Sequence, residues 1–239
     1  MRAPAPGAAP RRVARLIRDG HPDLFLYLGD VYENGTADEF RHNYAPLYGA
    51  LARRTRPTPG NHEWLRARSG YFPYWRRVLG RRLPSYYSFR AGGWRFLSLN
   101  SQLRGVRFRR QLRWLRRRLR GGGNCRIAFW HTPRFSAGRH GDAPGLEPLW
   151  RAVRGRVRLV LNGHDHDLQR LRRLGGTTIL VAGAGGHSRY ALHRDYSRLL
   201  WGSDSVDGAL RLRLRPRRLR FTFVSAAGLI LERGRAGCR

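Results

Sequence analysis

Four short apolar runs, each closed by a cluster of glycine and polar residues, limit this chain to few architectures. Leu24–Leu28 ends at Gly29-Asp30, Ile127–Trp130 at His131, Val157–Leu161 at Asn162-Gly163-His164, and Thr177–Ala182 at Gly183-Ala184-Gly185-Gly186. Predominantly apolar runs of this length mark buried strands in an α/β protein, most plainly the continuous Leu24–Leu28. Helical spacing lies between them. Val13, Leu16 and Ile17 predict a helix over Arg11–Asp19, Leu112, Leu115 and Leu119 one over Arg109–Arg120, and further helices are expected at Asp38–Tyr44 and Leu146–Val153. Tyr86–Phe89 and Trp94–Asn100 read as strands around Ala91-Gly92-Gly93. Leu210–Leu214 and Leu219–Val224 read as a hairpin, followed by Leu229–Glu232. Residues 1–10, rich in Pro, Ala and Gly, read as a loop or disordered start, and 11–239 as a single domain without repeat or long linker.

The apolar runs are too short or too broken to span a bilayer, and the N-terminus carries no secretory apolar region. Charge is the outstanding compositional feature. Lys plus Arg number 48 against 15 Asp plus Glu, a formal +33, and the chain contains no lysine. Such a field attracts polyanions, so nucleic acid is one candidate partner. The alternative is arginine on solvated faces throughout, since the arginines are spread along the whole chain. The two cysteines, Cys125 and Cys238, are too few for a disulfide scaffold or a thiolate zinc site. A single bridge in an oxidising compartment and two free thiols both remain open.

Chemistry gathers where the runs end, the place where open α/β sheets hold their ligands. Asp30 follows the first run and His131 the second. Gly60-Asn61-His62-Glu63 stands before Trp64, and Gly163-His164-Asp165-His166 follows Val160-Leu161. Carboxylate, amide oxygen and neutral imidazole suit Zn, Fe or Mn better than Ca or Cu(I). Flanking glycines let the backbone turn sharply and approach an ion closely.

Taken in order, Leu28-Gly29-Asp30-Val31-Tyr32, Pro59-Gly60-Asn61-His62-Glu63, Ala128-Phe129-Trp130-His131-Thr132-Pro133 and Asn162-Gly163-His164-Asp165-His166 resemble the calcineurin-like metallophosphoesterases, in particular their purple-acid-phosphatase-like branch. Phe135–Asp142 and Ala182–His187 add to the likeness, which runs from about Arg11 to Cys238. The resemblance implies two packed mixed β-sheets flanked by helices, a four-layer sandwich. It implies a two-metal centre in which Asp30 bridges, Asn61, His131 and His164 complete one site, and His166 binds the other metal. His62 would contact the substrate phosphate or protonate the leaving group, and His140 is a second candidate for that work. Two cations that share a hydroxide nucleophile can clamp an in-line displacement at phosphorus.

The chain departs from that pattern in two ways. The family opens with a strand and a further metal-ligand Asp ahead of the first helix, yet residues 1–18 hold no Asp, Glu, His or Cys. The expectation is therefore that the N-terminal strand is missing, that the chain begins inside the fold, and that the second metal keeps only Asp30 and His166. Poor solubility or weak activity of the 239 residues alone follows from it. Coloured members carry a tyrosinate three residues after the bridging Asp. Tyr32 stands two after, which argues against a purple ferric centre.

The leading functional expectation is a metal-dependent hydrolase of phosphomonoesters or phosphodiesters. The alternative is a catalytically impaired phosphatase-like scaffold that binds nucleic acid or another polyanion through its arginine-rich surface. A phosphodiesterase using that surface to hold its substrate lies between them. The likeness and the cysteine pair point to an exported protein. Asp165 and Asp167 are candidates for fixing imidazole tautomers or for capping the loop, Glu63 for supporting the metal shell, and His187 for a structural role.

Overall fold

The computed structural model describes residues 6–30, 33–121, 123 and 125–238. Tyr32 and residues 1–5 lie outside the described residues. Helix α1 (Ala8–Asp19) leads to strand β1 (Phe25–Tyr27). Ala8, Ala9 and Pro10, expected in a loop, form the first turn of α1; proline is tolerated there because its missing N–H has no partner in a helix's opening turn. Next comes one winding helical stretch. It comprises α2 (Ala37–Glu39), a π-helical turn (Phe40–Tyr44), α3 (Ala45–Tyr48) and a 3-10 turn (Gly49–Arg54). Thr36 starts it with a capping box: its Oγ1 accepts from Glu39 N at 3.1 Å, and Glu39 Oε2 accepts from Thr36 N at 2.9 Å.

Strand β2 (Thr55–Pro57) then runs parallel to β1, and helices α4 (Asn61–Leu65) and α5 (Tyr71–Leu79) follow. The hairpin of β3 (Tyr87–Ala91) and β4 (Trp94–Ser98) turns on Gly92 and Gly93, both with positive φ, as a two-residue hairpin loop favours. After α6 (Gly105–Arg118) come β5 (Arg126–Phe129), α7 (Glu147–Val153), β6 (Leu159–Asn162), β7 (Leu168–Leu171), β8 (Thr178–Ala182) and β9 (Leu199–Ser203). The chain closes with β10 (Gly208–Arg215), β11 (Arg218–Ser225) and β12 (Ile230–Gly237).

A seven-stranded mixed sheet in the order β3-β4-β5-β6-β8-β7-β9 is the frame, and β4, β5, β6 and β8 are its parallel centre. One face packs Leu97, Ala128, Trp130, Val160 and Ile179 under α6 and α7. The other packs Phe96, Ile127, Phe129, Leu161 and Leu180 against Leu219, Phe221 and Phe223 of β11 and the half-buried Leu26 of β1. An aromatic cluster of Phe40, Tyr44, Tyr71, Tyr74 and Trp75 then covers β1 from outside. The result is helix, sheet, sheet, helix, in agreement with the expected fold class. The second sheet layer comes in two pieces, the parallel pair β1-β2 and the antiparallel meander β10-β11-β12.

Alternation along the meander turns its leucines and phenylalanines inward and its arginines out. Arg213, Arg220 and Arg235 consequently stand directly opposite one another across three strands.

Cys125 and Cys238 are joined, which ties the far end of β12 to the residue before β5. The bridge spans 113 residues, and a closed loop of that size removes much conformational freedom from the unfolded chain. Cys238→Ser is expected to lower the unfolding free energy by about 2–4 kcal/mol. A reductant should bring the wild type to the variant's denaturant midpoint and leave the variant unmoved. Equal midpoints for variant and oxidised wild type would show that the bridge carries no stability.

Candidate metal centre

The loops that follow β1, β5 and β6 converge. The loop after β1 brings Asp30, the one after β5 brings His131, and the one after β6 brings His164. Asp30 and His164 both hold positive φ, 60° and 74°, conformations that non-glycine residues adopt only where surrounding structure enforces them. Gly29, at φ 102°, explains the tightness: a Cβ there would lie 2.6 Å from His131 Nδ1 and 2.7 Å from Gly60 N. A Cβ on Gly60 would overlap Asp30 Oδ1. Two loops thus pass backbone to backbone, and only glycine fits at the crossing.

Glu63 fastens that crossing. Fully buried, its Oε2 accepts from Asp30 N at 2.8 Å and from Gly60 N at 2.9 Å. Gly60 caps α4, so Asn61 and His62 occupy the helix's first turn. His62 N donates to Asp30 Oδ1 at 3.2 Å, and His62 Nε2 stands 3.8 Å from Asp30 Oδ2. His62 Nδ1 is 2.7 Å from the Glu33 carbonyl, to which it donates, so Nε2 faces the site.

The centre closes on His131. Its Nδ1 donates to the Leu28 carbonyl at 2.8 Å. Its Nε2 is then 3.0 Å from each of three atoms: Asp30 Oδ2, Asn61 Oδ1 and His164 Nδ1. One ring nitrogen carries at most one proton and cannot satisfy three such neighbours. Four lone pairs facing one small volume are the arrangement that a cation fills. Among the described residues, Asp30, His131 and His164 also form a group whose ligand atoms all lie within 4.8 Å of one another. The donor set therefore fits a borderline-hard transition metal.

Electrostatics agree with that fit. Burial raises Asp30 in principle, but His131 and His62 outweigh it and hold the carboxyl down at about 2, so it stays ionised. Burial disfavours the His131 imidazolium, yet Asp30 outweighs burial and raises its pKa. His164 is lowered to about 4 by burial and then by His131 and His140, which leaves it neutral at pH 7.

The remaining expected residues form a second arc. The His140 ring lies tilted by 33° against that of His164, centroids 4.2 Å apart, and its Nδ1 donates to Asp165 Oδ1 at 3.0 Å. His166 is joined to the four converging groups by no hydrogen bond or ion pair among the described residues. Its Nδ1 donates to the Ser188 carbonyl at 2.7 Å, and its ring lies flat on Tyr190 at 4.2 Å. Burial lowers its pKa, so it too is neutral. His187 flanks it at 4.7 Å and reaches Glu33 Oε1 at 2.9 Å.

Of the two buried acids beside His166, Asp165 fixes His140, while Asp167 accepts from Gln169 Nε2 and is raised to about 7 by burial. Tyr190, which touches both His140 and His166, and Arg139, whose guanidinium lies 5.2 Å from the Tyr190 ring, gave no signal in the sequence. A lone tyrosine and one arginine among so many do not stand out.

The calcineurin-like phosphoesterase family matches residues 7–168, which carry all seven expected site residues. Tartrate-resistant acid phosphatase type 5 of Mus musculus is 27% identical over 264 residues, covering 91% of this chain and 80% of that protein. Its counterpart from Oryctolagus cuniculus is 31% identical over 140 residues, 53% of this chain and 42% of the rabbit protein. Among solved structures, GAP50, the anchor in the inner membrane complex of Plasmodium, superposes with a TM-score of 0.80 at 15% identity, over 98% of this chain and 85% of that one. Purple acid phosphatase PPD1 from yellow lupin (Lupinus luteus) seeds gives 0.71 at 14% identity. It covers 98% of this chain, which spans about half of the lupin protein, 49%. At these identities the two structures speak for the fold.

The crossing of the two loops yields a test. Gly60→Ala must push Asp30 aside, and purified protein is expected to carry much less metal by elemental analysis. Glu63→Gln keeps the shape but weakens two acceptor contacts, with an expected loss of about 10–100-fold in metal affinity. Wild-type metal content in Gly60→Ala would contradict the geometry.

Proposed function

The chain belongs to the calcineurin-like phosphoesterase family, and from that premise we propose that it hydrolyses phosphate esters at the cluster of Asp30, Asn61, His131 and His164. The observation that carries the reading is the meeting of three acceptor atoms at His131 Nε2. Asp30 would bridge this site to a second one that includes His166, whose Nε2 is free because Nδ1 is engaged by Ser188. Zn, Fe and Mn all suit these donors. A bound cation supplies Lewis acidity, lowering the pKa of water toward neutrality and offsetting phosphoryl charge.

The chain's own residues do the rest. The Leu28 carbonyl holds the His131 tautomer, which keeps Nε2 available as a ligand. Glu63 holds Asp30 against the first turn of α4. His62, fixed at Nδ1 and about one-third exposed, presents Nε2 at the rim and would give a proton to the departing alkoxide. His140, oriented by Asp165, would hold a phosphate oxygen from the other side. Arg139 on Tyr190 adds positive charge beside His140 and His166.

Turnover of p-nitrophenyl phosphate should require added metal, vanish with a chelator, and be lost in His164→Ala. His62→Ala tests the proton donor. It should cost about 100-fold on an alkyl phosphate and much less on p-nitrophenyl phosphate, whose leaving group needs little protonation. Equal losses on both would remove His62 from that role. Wild-type protein that binds polyanions but neither holds metal nor turns over would favour the scaffold reading.

A further inference from the structure

Residues 64–141 contain twenty arginines and neither aspartate nor glutamate. The fold gathers part of that stretch along the β3 edge of the large sheet. Arg90 on β3 is the register partner of Arg95 on β4, and Arg95 that of Arg126 on β5. Three cationic side chains therefore stand in a row across three strands, an arrangement that costs free energy without counter-charge. Backbone carbonyls supply part of it. Arg95 Nη1 donates to the Arg118 carbonyl at 3.4 Å, and Arg126 donates to the carbonyls of Arg156 and Gly121, each at 3.3 Å. Arg126 is only 8% exposed. Among the described residues, no carboxylate pairs with Arg90, Arg95, Arg118, Arg120, Arg126 or Arg156.

Two open cavities flank the row. Arg120, Arg126 and Arg156 line one of about 450 Å³. Tyr86, Trp114 and Arg118, with Ser85 and Ser88, line another of about 510 Å³. In the second, the Tyr86 and Trp114 rings lie 5.1 Å apart at 57°, and the Arg118 guanidinium lies 5.8 Å from the Trp114 ring. Arg118 lines the second cavity, and its carbonyl receives Arg95 of the row.

A cationic track beside half-buried aromatic faces is what single strands use: arginine follows the phosphates while bases stack on rings. We propose that this edge binds single-stranded nucleic acid, with a base against Tyr86 and Trp114 and the phosphates running over Arg118, Arg95, Arg120 and Arg156. A paired duplex cannot offer a base to the slot. An anionic bilayer would want exposed apolar side chains here, and the large ones, Leu65, Val106, Leu200, Leu229 and Ile230, line neither cavity. The inference is independent of the phosphoesterase reading, because none of these residues belongs to the metal centre.

The test is fluorescence anisotropy of a labelled oligothymidylate of about 16 nucleotides, in a chelator, across a salt series. Affinity is expected to fall with salt with a log–log slope of about −0.7 per phosphate contacted. Trp114→Ala should weaken binding about 10-fold or more, and Tyr86→Leu should reproduce the loss should Trp114→Ala prove poorly folded. Arg120→Ala with Arg156→Ala should flatten the salt slope by about 1.4. The control is Arg213→Ala with Arg235→Ala on the outer face of the meander, which removes equal charge elsewhere. An equal loss in that control would show attraction to net charge alone and overturn the site. So would tighter binding to duplex of the same length or to phosphatidylserine vesicles, or indifference to both aromatic substitutions.

Discussion

One imidazole nitrogen facing three acceptors at 3.0 Å organises the functional end of this protein. The geometry would be costly in an apo protein, for a single proton can compensate only one of those contacts. The surrounding backbone is arranged to sustain it. Asp30 and His164 accept unfavourable φ, Gly29 and Gly60 allow two loops to cross, and Glu63 binds an amide from each loop. Conformational cost is thus concentrated where Asp30, Asn61, His131 and His164 converge. The wide, parallel-centred sheet beneath supplies the rigidity that holds them there.

Much of this was legible beforehand. Buried parallel strands announce themselves as apolar runs, and the groups that follow them must fall at one rim whatever the helices do. Asp30, His131 and His164 were readable for that reason, and Asn61 through its place in a glycine-flanked motif. Helix α5 was not, because Tyr71–Leu79 is rich in aromatics and contains Pro73. Its shape is imposed by packing on Phe40 and Tyr44, and packing is not a local property. Strands β7 and β9 were hidden likewise: Leu168–Leu171 and Leu199–Ser203 are short, mixed in polarity, and held by each other. The second arc of His140, Tyr190 and His166 depends on where the loop after β8 lies, which no spacing encodes.

Charge is distributed by contrast rather than by balance. The few acids go to specific tasks: Asp30 and Glu63 at the centre, Asp165 on His140, Glu147 between Arg134 and Arg151, and Glu232 on Arg170. The arginines left over are set in rows on the meander and on the β3 edge, facing solvent or backbone carbonyls. At a formal +33 the field around this chain is strongly positive, and its reach is set by ionic strength.

Strand β5 occupies a singular mechanical position. The residue before it is covalently bound to the C-terminal side of β12, and two residues beyond its last one His131 is clamped among three other side chains. Slippage by a single position would have to strain a sulfur–sulfur bond at one end and break the His131 contacts at the other. Fraying of this strand, an easy route into an open sheet, is therefore blocked from both directions. Persistence of the folded molecule outside a protective environment would then be governed by escape rate as much as by equilibrium.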